Sequence, residues 1–469
     1  MNREVRSALV EIEFAGAARE VTGSCHLVRV NGKTLALDFG LFQGRRAETD
    51  AKNRRLPVDV SALDAVVLSH AHIDHAGRLP LLVHEGYANS IWCTAATRDL
   101  SEIMLADSAH IQEKDAEYLT RRNKAHAEPL YSSRDAARAI EQMVTHPFNK
   151  PVEILPGILL TFTEAGHILG SGSVVLECLD GDVPRRLVFS GDVGRSGLPI
   201  IRDPAPPDGA DIVIMESTYG NRDHPPLEDA QARLAEIVTA TATRGGKLLI
   251  PAFAVGRTQE LVYDLHALAR AGRIPEIPIY IDSPLATNAT KVFEMHADVF
   301  DRSEELVRSV SELFHFPLVS YTRDVSESKQ LNTMRGPMVV IAASGMAESG
   351  RILHHLANGA DDPRNTILIV GFMAQHTLGR RILERVPSIR VFGEDIPLRA
   401  QVEVLNGYSA HGDRRDLREW IHKVRGKGPG PDDVYLVHGE SQAQDAFAAT
   451  LRADGFRVSI PALGDRVTV

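Results

Sequence analysis

The chain has 469 residues, of which 43% are hydrophobic and 24% charged, which suits a globular protein of two or three domains. Its net charge of −10 argues against a protein that coats nucleic acid non-specifically, although it allows a local positive groove. No apolar run approaches the roughly 18 residues of a membrane-spanning helix, the N-terminus lacks a signal-peptide pattern, and the three cysteines (Cys25, Cys93 and Cys178) are scattered. We therefore expect a cytoplasmic protein without membrane contact.

The first predicted elements form a β-meander from residue 10 to about residue 40, with Asn31 and Gly32 as a hairpin turn. Asp38 stands where the last strand of this meander ends. Its carboxylate can orient a histidine that binds a metal, or it can cap the loop that follows. The local sequence leaves both roles open.

The next predicted strand, residues 63–68, is followed by four side chains of the types that bind metals. His70 and His72 alternate along an extended segment and therefore point to the same side. Asp74 and His75 come after the turn begins, so they can face a second ion. A histidine-rich surface loop or hydrogen-bonded core histidines are the alternative, but four such side chains within six residues favour a metal site.

The residues after this cluster alternate between helical and strand patterns. Charged residues 111–131 are predicted to be a solvated helical excursion or, alternatively, a rim that faces substrate. Helices are predicted at residues 79–85, 94–110 and 133–145, and strands at 158–163, 173–179 and 186–190.

His167 and Asp192 each stand at the end of a predicted strand among glycines, which let the backbone approach an ion closely. Alone, either residue would more often be structural. Together with the cluster at residues 70–75 they supply the third histidine and the bridging carboxylate that a two-metal site requires. The glycines at residues 170–175 fit neither the G-x-G-x-x-G nor the P-loop pattern, so nucleotide binding is not supported.

After a proline-rich break at residues 203–209, strands and helices alternate to about residue 393, which indicates a parallel sheet. Helices that begin near the carboxyl ends of these strands carry side chains suited to bind phosphate. The alternative is that the arginines only pair with carboxylates between helices. The candidate substrate-binding residues are Arg257, Ser344, Gly345, Arg351, Thr377 and Arg380.

Strand patterns return near residue 398, and His411 and His438 again stand at strand ends. We therefore expect residues 394–469 to complete a first domain that begins with residues 1–219. Residues 220–393 would then form an inserted domain.

The assembled residues closely resemble the metallo-β-lactamase-fold nucleases of the β-CASP family, and the likeness spans nearly the whole chain. It is strongest to the RNA-processing branch that includes the endonuclease subunit of the eukaryotic cleavage-and-polyadenylation machinery and its bacterial relatives. The resemblance implies an α/β fold, in which a metallo-β-lactamase αββα sandwich carries an inserted parallel α/β β-CASP domain. The matching residues are Asp38, His70-Ala71-His72-Ile73-Asp74-His75, His167 and Asp192 for the first four motifs, and Glu216, His411 and His438 for the three family-specific motifs.

The resemblance also implies two Zn²⁺ ions per chain, which would activate a hydroxide. Asp192 would bridge the two ions. The first ion would be bound by His70, His72 and His167, and the second by Asp74, His75 and His438.

The catalytic residues implied by the resemblance are Asp74, His411, Glu216 and Asp38. His411 would protonate the leaving ribose oxygen and Glu216 would hold it in orientation, while Asp38 would orient a zinc-bound imidazole. A histidine at the last motif, here His438, goes with RNA substrates in this family. We therefore expect a zinc-dependent ribonuclease that acts on single-stranded RNA, with a homodimer as one expected state and endonuclease versus exonuclease action left open.

Two other functions remain open at this stage. A thioesterase or lactonase would use the same zinc pair, and a nuclease could act on DNA. A non-catalytic subunit is a third reading, but all seven ligand positions are present, which disfavours it. We also expect the inserted domain to close over the metal site and leave a slot too narrow for duplex RNA.

Overall fold

The computed structural model describes residues 9–44, 46–123, 127–179, 184–301, 310–371, 373, 376–426, 430–431 and 433–469. Residues 124–126 of the predicted charged excursion and residues 372, 374 and 375 of the loop before Thr377 lie outside this description. The chain forms two compact units. The first comprises residues 1–196, 203–223 and 411–469, and the second residues 197–202 and 224–410.

The first unit contains two seven-stranded sheets, of which the first has the order β22-β1-β2-β3-β4-β5-β6. The predicted meander is present as the antiparallel strands β1 to β3, and β3 to β6 then run parallel. The strands are β1 (Glu11–Phe14), β2 (His26–Val30), β3 (Lys33–Leu37), β4 (Ala65–Val67), β5 (Ile91–Cys93), β6 (Met143–Thr145) and β22 (Arg466–Thr468).

The second sheet has the order β21-β20-β11-β10-β9-β8-β7. Strand β20 comes from the C-terminal piece and pairs in parallel with β11, so this piece adds a strand to the second sheet of the first unit. The strands are β7 (Val152–Leu155), β8 (Ile158–Glu164), β9 (Gly172–Cys178), β10 (Arg185–Phe189), β11 (Ile212–Glu216), β20 (Asp433–Val437) and β21 (Val458–Ser459).

The two sheets pack face to face, and helices cover both outer faces, which gives the predicted αββα sandwich. Phe14 and Val28 of the first sheet share a fully buried core with Phe162 and Ile214 of the second. Helices α3 to α5 pack on the outer face of the first sheet, and α13 and α14 on that of the second. The helices of this unit are α1 (Arg46–Arg54), α2 (Ile73–Ala76), α3 (Leu79–His84), α4 (Ala95–Asn123), α5 (Ser133–Glu141), α13 (Arg414–Arg425) and α14 (Ser441–Ala453).

Two predicted helix ends differ from the structure. Helix α4 continues beyond residue 110 into the charged segment, which is therefore helical as far as Asn123. The helix predicted at residues 133–145 ends at Glu141, and residues 143–145 form β6. Parallel pairing with β5 satisfies the backbone of these three residues, and this tertiary contact overrides the local helical pattern.

The second unit is built on a six-stranded sheet of order β14-β13-β15-β12-β16-β19, and every pair in it is parallel, as predicted. The prediction returned the chain to the first domain at residue 394, but β19 pairs with β16 and keeps the chain in this unit to residue 410. The strands are β12 (Lys247–Pro251), β13 (Ile279–Ile281), β14 (Val319–Tyr321), β15 (Met338–Ala342), β16 (Thr366–Ile369) and β19 (Gln401–Val404), beside a hairpin of β17 (Ser388–Val391) and β18 (Glu394–Pro397).

Helices follow most strands of this second sheet. They are α6 (Leu227–Thr243), α7 (Arg257–Arg270), α8 (Pro284–Met295), α9 (Val310–Phe314), α10 (Val325–Thr333), α11 (Ile352–Gly359) and α12 (Leu378–Leu383). Within the described ranges of the chain, no helix combines the length and apolar character needed to cross a bilayer.

Candidate metal centre

The predicted ligand residues of the first unit come together at one edge of the sandwich. Strands β8, β10, β11 and β20 run in the same direction, and β3 runs parallel to β4, so the loops after these strands meet. These loops position Asp38, His70, His72, Asp74, His75, His167, Asp192 and His438, and Glu216 is the last residue of β11.

The first group of donor atoms comprises three imidazole nitrogens and one carboxylate oxygen. His72 Nδ1 lies 3.1 Å from His70 Nε2 and 3.1 Å from His167 Nε2. Asp192 Oδ2 lies 3.5 Å from His70 Nε2 and 3.4 Å from His167 Nε2. A tetrahedral Zn²⁺ with ligands at 2.0–2.1 Å would separate its donor atoms by about 3.3 Å. The spacing of these four atoms therefore fits one zinc ion.

The second group comprises Asp74, His75 and His438, and the other oxygen of Asp192 lies beside it. His75 Nε2 is 3.2 Å from His438 Nε2, which is 3.5 Å from Asp74 Oδ2. Asp192 Oδ1 is 3.3 Å from His75 Nε2 and 3.5 Å from His438 Nδ1. Asp192 is only 2% exposed, and its Oδ1 atom is buried and accepts no hydrogen bond from the described residues. Such an orphaned carboxylate oxygen fits a second cation.

The Asp38 side chain contacts a histidine of the cluster at residues 70–75 and the loop after β4. Its Oδ2 lies 2.6 Å from His75 Nδ1, so the carboxylate can fix the ring and leave Nε2 directed at the second donor group. Its Oδ1 accepts a hydrogen bond from the Ser69 backbone N–H (2.8 Å), and its Oδ2 also accepts from the Ser24 and Ser69 hydroxyls. The same carboxylate therefore organises the loop after β3 and the loop after β4.

Two glycines allow these loops to approach each other. A Cβ atom at Gly40 would lie 1.6 Å from the carbonyl oxygen of Asp74, and one at Gly194 would lie 1.7 Å from that of Gly166. No side chain could be accommodated at either distance, because the obstructing atoms are backbone. The sequence shows these glycines without revealing which loop each one meets.

His411 lies beside the two donor groups and is held by Glu216. Its Nδ1 is 3.1 Å from Glu216 Oε1 and 3.8 Å from Asp192 Oδ2. Glu216 is fully buried, and its carboxylate also accepts hydrogen bonds from the backbone N–H groups of Val193 and Thr218. Asp192, Glu216, His411 and His438 also form a group that could hold a metal, so the geometry allows His411 to be a ligand as well as a proton donor.

Burial and nearby carboxylates shift the pKa values of the site histidines in opposite directions, and the Asp192 and Asp38 carboxylates outweigh burial and raise the pKa of His75 well above its usual value. Burial lowers the pKa of His70 well below its usual value and that of His72 to about 4, which leaves both rings neutral and able to bind a metal. Burial also opposes protonation of His411, but the Glu216 and Asp192 carboxylates outweigh it and raise the pKa of His411 to about 9. Although burial raises the pKa of Asp192, the surrounding histidines hold it well below its usual value, so this carboxylate is ionised.

Hydroxyl groups that the sequence did not single out contact the proposed ligands. Thr218 Oγ1 lies 3.1 Å from His438 Nδ1, and Ser69 Oγ lies 3.0 Å from His70 Nδ1. Ser171 Oγ accepts a hydrogen bond from the backbone N–H of His167 (3.0 Å). Ser69 is adjacent to a ligand and could have been proposed from that position alone, whereas Thr218 approaches its partner only through folding.

The candidate substrate-binding residues lie in the second unit, and their arginines are paired with carboxylates there. Arg257 forms an ion pair with Glu260 in a buried setting. Arg351 lies 2.7 Å from the buried Asp282, and Arg380 lies 2.7 Å from Glu384. Two of these pairs join residues three or four positions apart along the chain, unlike the pairing between helices that the sequence left open, and all three reduce the charge available to a phosphate.

The other three candidates have local roles in the second unit. The Ser344 hydroxyl accepts hydrogen bonds from the backbone N–H groups that follow it, and Thr377 caps the start of α12. Gly345 lies against the ring of Phe253. Phosphate binding by these six residues stays a prediction.

Comparisons with known proteins agree with this architecture. Residues 18–244 match the metallo-beta-lactamase superfamily, residues 258–382 the Beta-Casp domain, and residues 395–461 the Zn-dependent metallo-hydrolase RNA specificity domain. A crystal structure of a protein of unknown function from Enterococcus faecalis V583 shares the fold, with a TM-score of 0.53 at 12% identity over 98% of this chain and 100% of that chain.

Similar proteins of known name cover nearly the whole chain. It is 38% identical to ribonuclease TTHA0252 of Thermus thermophilus, over 97% of this chain and 99% of that protein. It is 32% identical to the transcription termination factor FttA of Thermococcus kodakarensis, over 93% of this chain and 68% of that protein. The chain therefore belongs to the metallo-β-lactamase superfamily, within its β-CASP family of nucleases, and is a metal-dependent hydrolase.

Proposed function

We propose that this protein is a zinc-dependent ribonuclease that hydrolyses phosphodiester bonds of single-stranded RNA with two Zn²⁺ ions. The observation that carries the proposal is the position of Asp192, whose two carboxylate oxygens each face a different group of histidines. A carboxylate shared in this way is typical of two-metal hydrolases, whose ions lie about 3.5–4 Å apart.

The proposed ligands are His70, His72 and His167 for the first ion and Asp74, His75 and His438 for the second. When bound, two zinc ions supply Lewis acidity and lower the pKa of water to about 7, so that a nucleophile exists at neutral pH. The protein's own contribution is to hold these side chains in place, with Asp38 fixing the His75 ring.

His411 is the proposed general acid. Glu216 fixes the Nδ1 side of the ring and favours its protonated form. The Nε2–H can then be delivered to the ribose oxygen that leaves phosphorus. An alkoxide leaving group needs this proton, whereas hydrolysis of a thioester has no such requirement. The paired acid therefore favours phosphodiester chemistry over the thioesterase alternative.

RNA is the proposed substrate for two reasons. The relative with 38% identity is named a ribonuclease, and the last motif carries His438, which goes with RNA in this family. The loops that carry Ser344, Gly345 and Thr377, and the nearby arginines, are proposed to contact the strand outside the cut. A homodimer and cytoplasmic location remain expectations from the sequence.

The test combines a zinc determination with a comparison of substrates. The purified protein should contain about two zinc ions per chain and should cleave single-stranded RNA much faster than DNA of the same sequence or a thioester. Removal of the metal by a chelator should abolish cleavage, and added Zn²⁺ should restore it. Thioester hydrolysis without RNA cleavage would reject the proposed function.

A further inference from the structure

Arg222 lies on the loop after β11, close to the candidate general acid of the first unit. Its guanidinium carbon is 4.7 Å from the centroid of the Tyr219 ring, which is a cation–π contact. Tyr219 is 5% exposed, and its ring centroid is 6.1 Å from that of His411 in an edge-to-face arrangement. Arg222, Tyr219 and His411 therefore form a continuous row of side chains.

The charge of Arg222 is exposed and available. Within the part of the chain that the structure describes, no carboxylate lies within salt-bridge distance of its guanidinium, and the adjacent Asp223 is 3.0 Å from Arg414 instead. Its backbone is fixed, because Arg222 N–H donates to Tyr219 O (3.2 Å) and Arg222 O accepts from Arg414 N–H (3.0 Å). Arg222 thus differs from Arg257, whose charge is paired and buried.

A guanidinium group held in this way is suited to phosphate. Its planar array of donors can form two parallel hydrogen bonds to one phosphate group, and it is weakly hydrated compared with an ammonium group. Among the described residues, no carboxylate competes for these bonds. Stacking on Tyr219 also restricts the side chain before the ligand arrives, which reduces the entropy lost on binding.

We propose that Arg222, stacked on Tyr219, binds the RNA phosphate next to the scissile one, on the side of the leaving oxygen that His411 protonates. The inference rests on the proposed ribonuclease function and adds a contact that sets the register of the strand. The candidate arginines of the sequence analysis would then be joined by one on the unit that carries the metal centre.

The test compares three variants by the salt dependence of kcat/KM on single-stranded RNA. Arg222→Gln keeps a planar group that can stack on Tyr219 but removes the charge, and Arg222→Lys keeps the charge but not the planar stack. Each phosphate contact contributes about 0.7 to the slope of log affinity against log salt for a single strand. We expect Arg222→Gln to lower kcat/KM about tenfold, mainly through KM, and to reduce the slope by about 0.7.

Arg222→Lys should retain most of the slope, because a point charge still neutralises the phosphate. Arg418→Ala is the matched control, since Arg418 is an exposed arginine of the same unit that is paired with Asp454 at 2.6 Å. It should match the wild type in slope and rate. Zinc content, measured for every variant, verifies that the metal centre is intact.

A strand with a single neutral methylphosphonate linkage locates the contact. Placed beside the mapped cut on the leaving-group side, it should remove the difference between wild type and Arg222→Gln, and placed on the other side it should preserve that difference. If Arg222→Gln keeps the wild-type slope and loses only kcat, Arg222 merely supports Tyr219 and His411, and the inference is wrong. If the zinc-loaded wild type cleaves no RNA, the proposed function fails and the inference fails with it.

Discussion

At the scale of single residues, the two C-terminal histidines look alike in sequence but lie in different surroundings. His438 Nε2 lies 3.2 Å from Nε2 of His75, a proposed zinc ligand. His411 Nδ1 lies 3.1 Å from Oε1 of Glu216, which is not a proposed ligand. We expect His438→Ala to lower the zinc content toward one ion per chain. We expect His411→Ala to retain both ions and to slow RNA cleavage by about 10²–10⁴-fold, the range for loss of a general acid.

A nitrophenyl phosphodiester provides the control for this pair, because its leaving group needs no proton. The defect of His411→Ala should shrink on that substrate, and Glu216→Gln should resemble a milder His411→Ala. His411 also belongs to a group that could hold a metal. If His411→Ala loses a zinc ion, His411 is a zinc ligand and the general-acid assignment is wrong.

Arg257 provides a second prediction at this scale. Its buried ion pair with Glu260 means that Arg257→Ala leaves an unpaired charge, which should lower the free energy of unfolding by about 3–5 kcal/mol. Replacing both residues, as in Arg257→Met with Glu260→Leu, should recover most of this stability in chemical denaturation. RNA cleavage by the double variant then reports on phosphate binding alone. If the double variant cleaves RNA at the wild-type rate, Arg257 does not bind the substrate.

At the scale of elements, the metal centre depends on close contact between the loop after β3 and helix α2. A methyl group at Gly40 would overlap the Asp74 carbonyl oxygen at 1.6 Å. Gly40→Ala should therefore separate the two segments, cost about 1–3 kcal/mol or more, and lower zinc content. Gly371→Ala is the control, since a Cβ there meets no described atom within 4 Å, and it should leave zinc content and melting temperature unchanged.

Helix α7 is tied to the turn at residues 406–408 by a buried acid. The Tyr408 hydroxyl donates to Asp264 at 2.6 Å and the Gln231 amide donates to it at 2.8 Å, yet burial raises the pKa of Asp264 to about 6. An acid whose pKa is raised in the folded state stabilises the fold fully at pH values below its unfolded pKa of 3.8. This stabilisation is lost as the pH rises through the folded pKa of about 6.

Asp264→Asn should therefore flatten this pH dependence. Relative to wild type, the variant should gain up to about 3 kcal/mol in free energy of unfolding between pH 4 and pH 7. Urea denaturation at a series of pH values, monitored by hydrogen exchange of β12 and β15, measures the difference in free energy of unfolding between the variant and the wild type. The exposed Asp395→Asn should parallel the wild-type curve, and an Asp264→Asn curve that also parallels it would contradict the assignment.

At the scale of the whole molecule, the proposed function predicts a preference for single strands. The proposed ligands His70, His75 and His438 are each 3% exposed or less, so a scissile phosphate would have to approach a recessed centre. A single strand can bend toward such a centre, whereas an A-form duplex presents a wide, stiff surface. Single-stranded RNA should be cleaved far faster than a perfect duplex of the same sequence, and equal rates would contradict the expected slot.

The sequence singled out the candidate ligand residues because each stands just after a strand, where few local interactions account for a histidine or aspartate, and the structure brings them together. It did not reveal their partners. Arg351 meets Asp282 across 69 positions of the chain, and Thr218 meets His438 across 220. Such contacts depend on how strands are ordered in a sheet, which local periodicity does not encode. Segment 143–145 was misassigned for the same reason, since it is defined by the strand it pairs with.

The split of the first unit between both ends of the chain has a consequence for synthesis on the ribosome. Strand β20 lies between β11 and β21, β22 pairs with β1, and His411 and His438 are synthesised after the other candidate site residues. A nascent chain that has not passed residue 438 lacks both the strand that completes the second sheet and the proposed ligand that closes the second donor group. The proposed ribonuclease would therefore be inactive until residue 438 has been synthesised and the second sheet has formed.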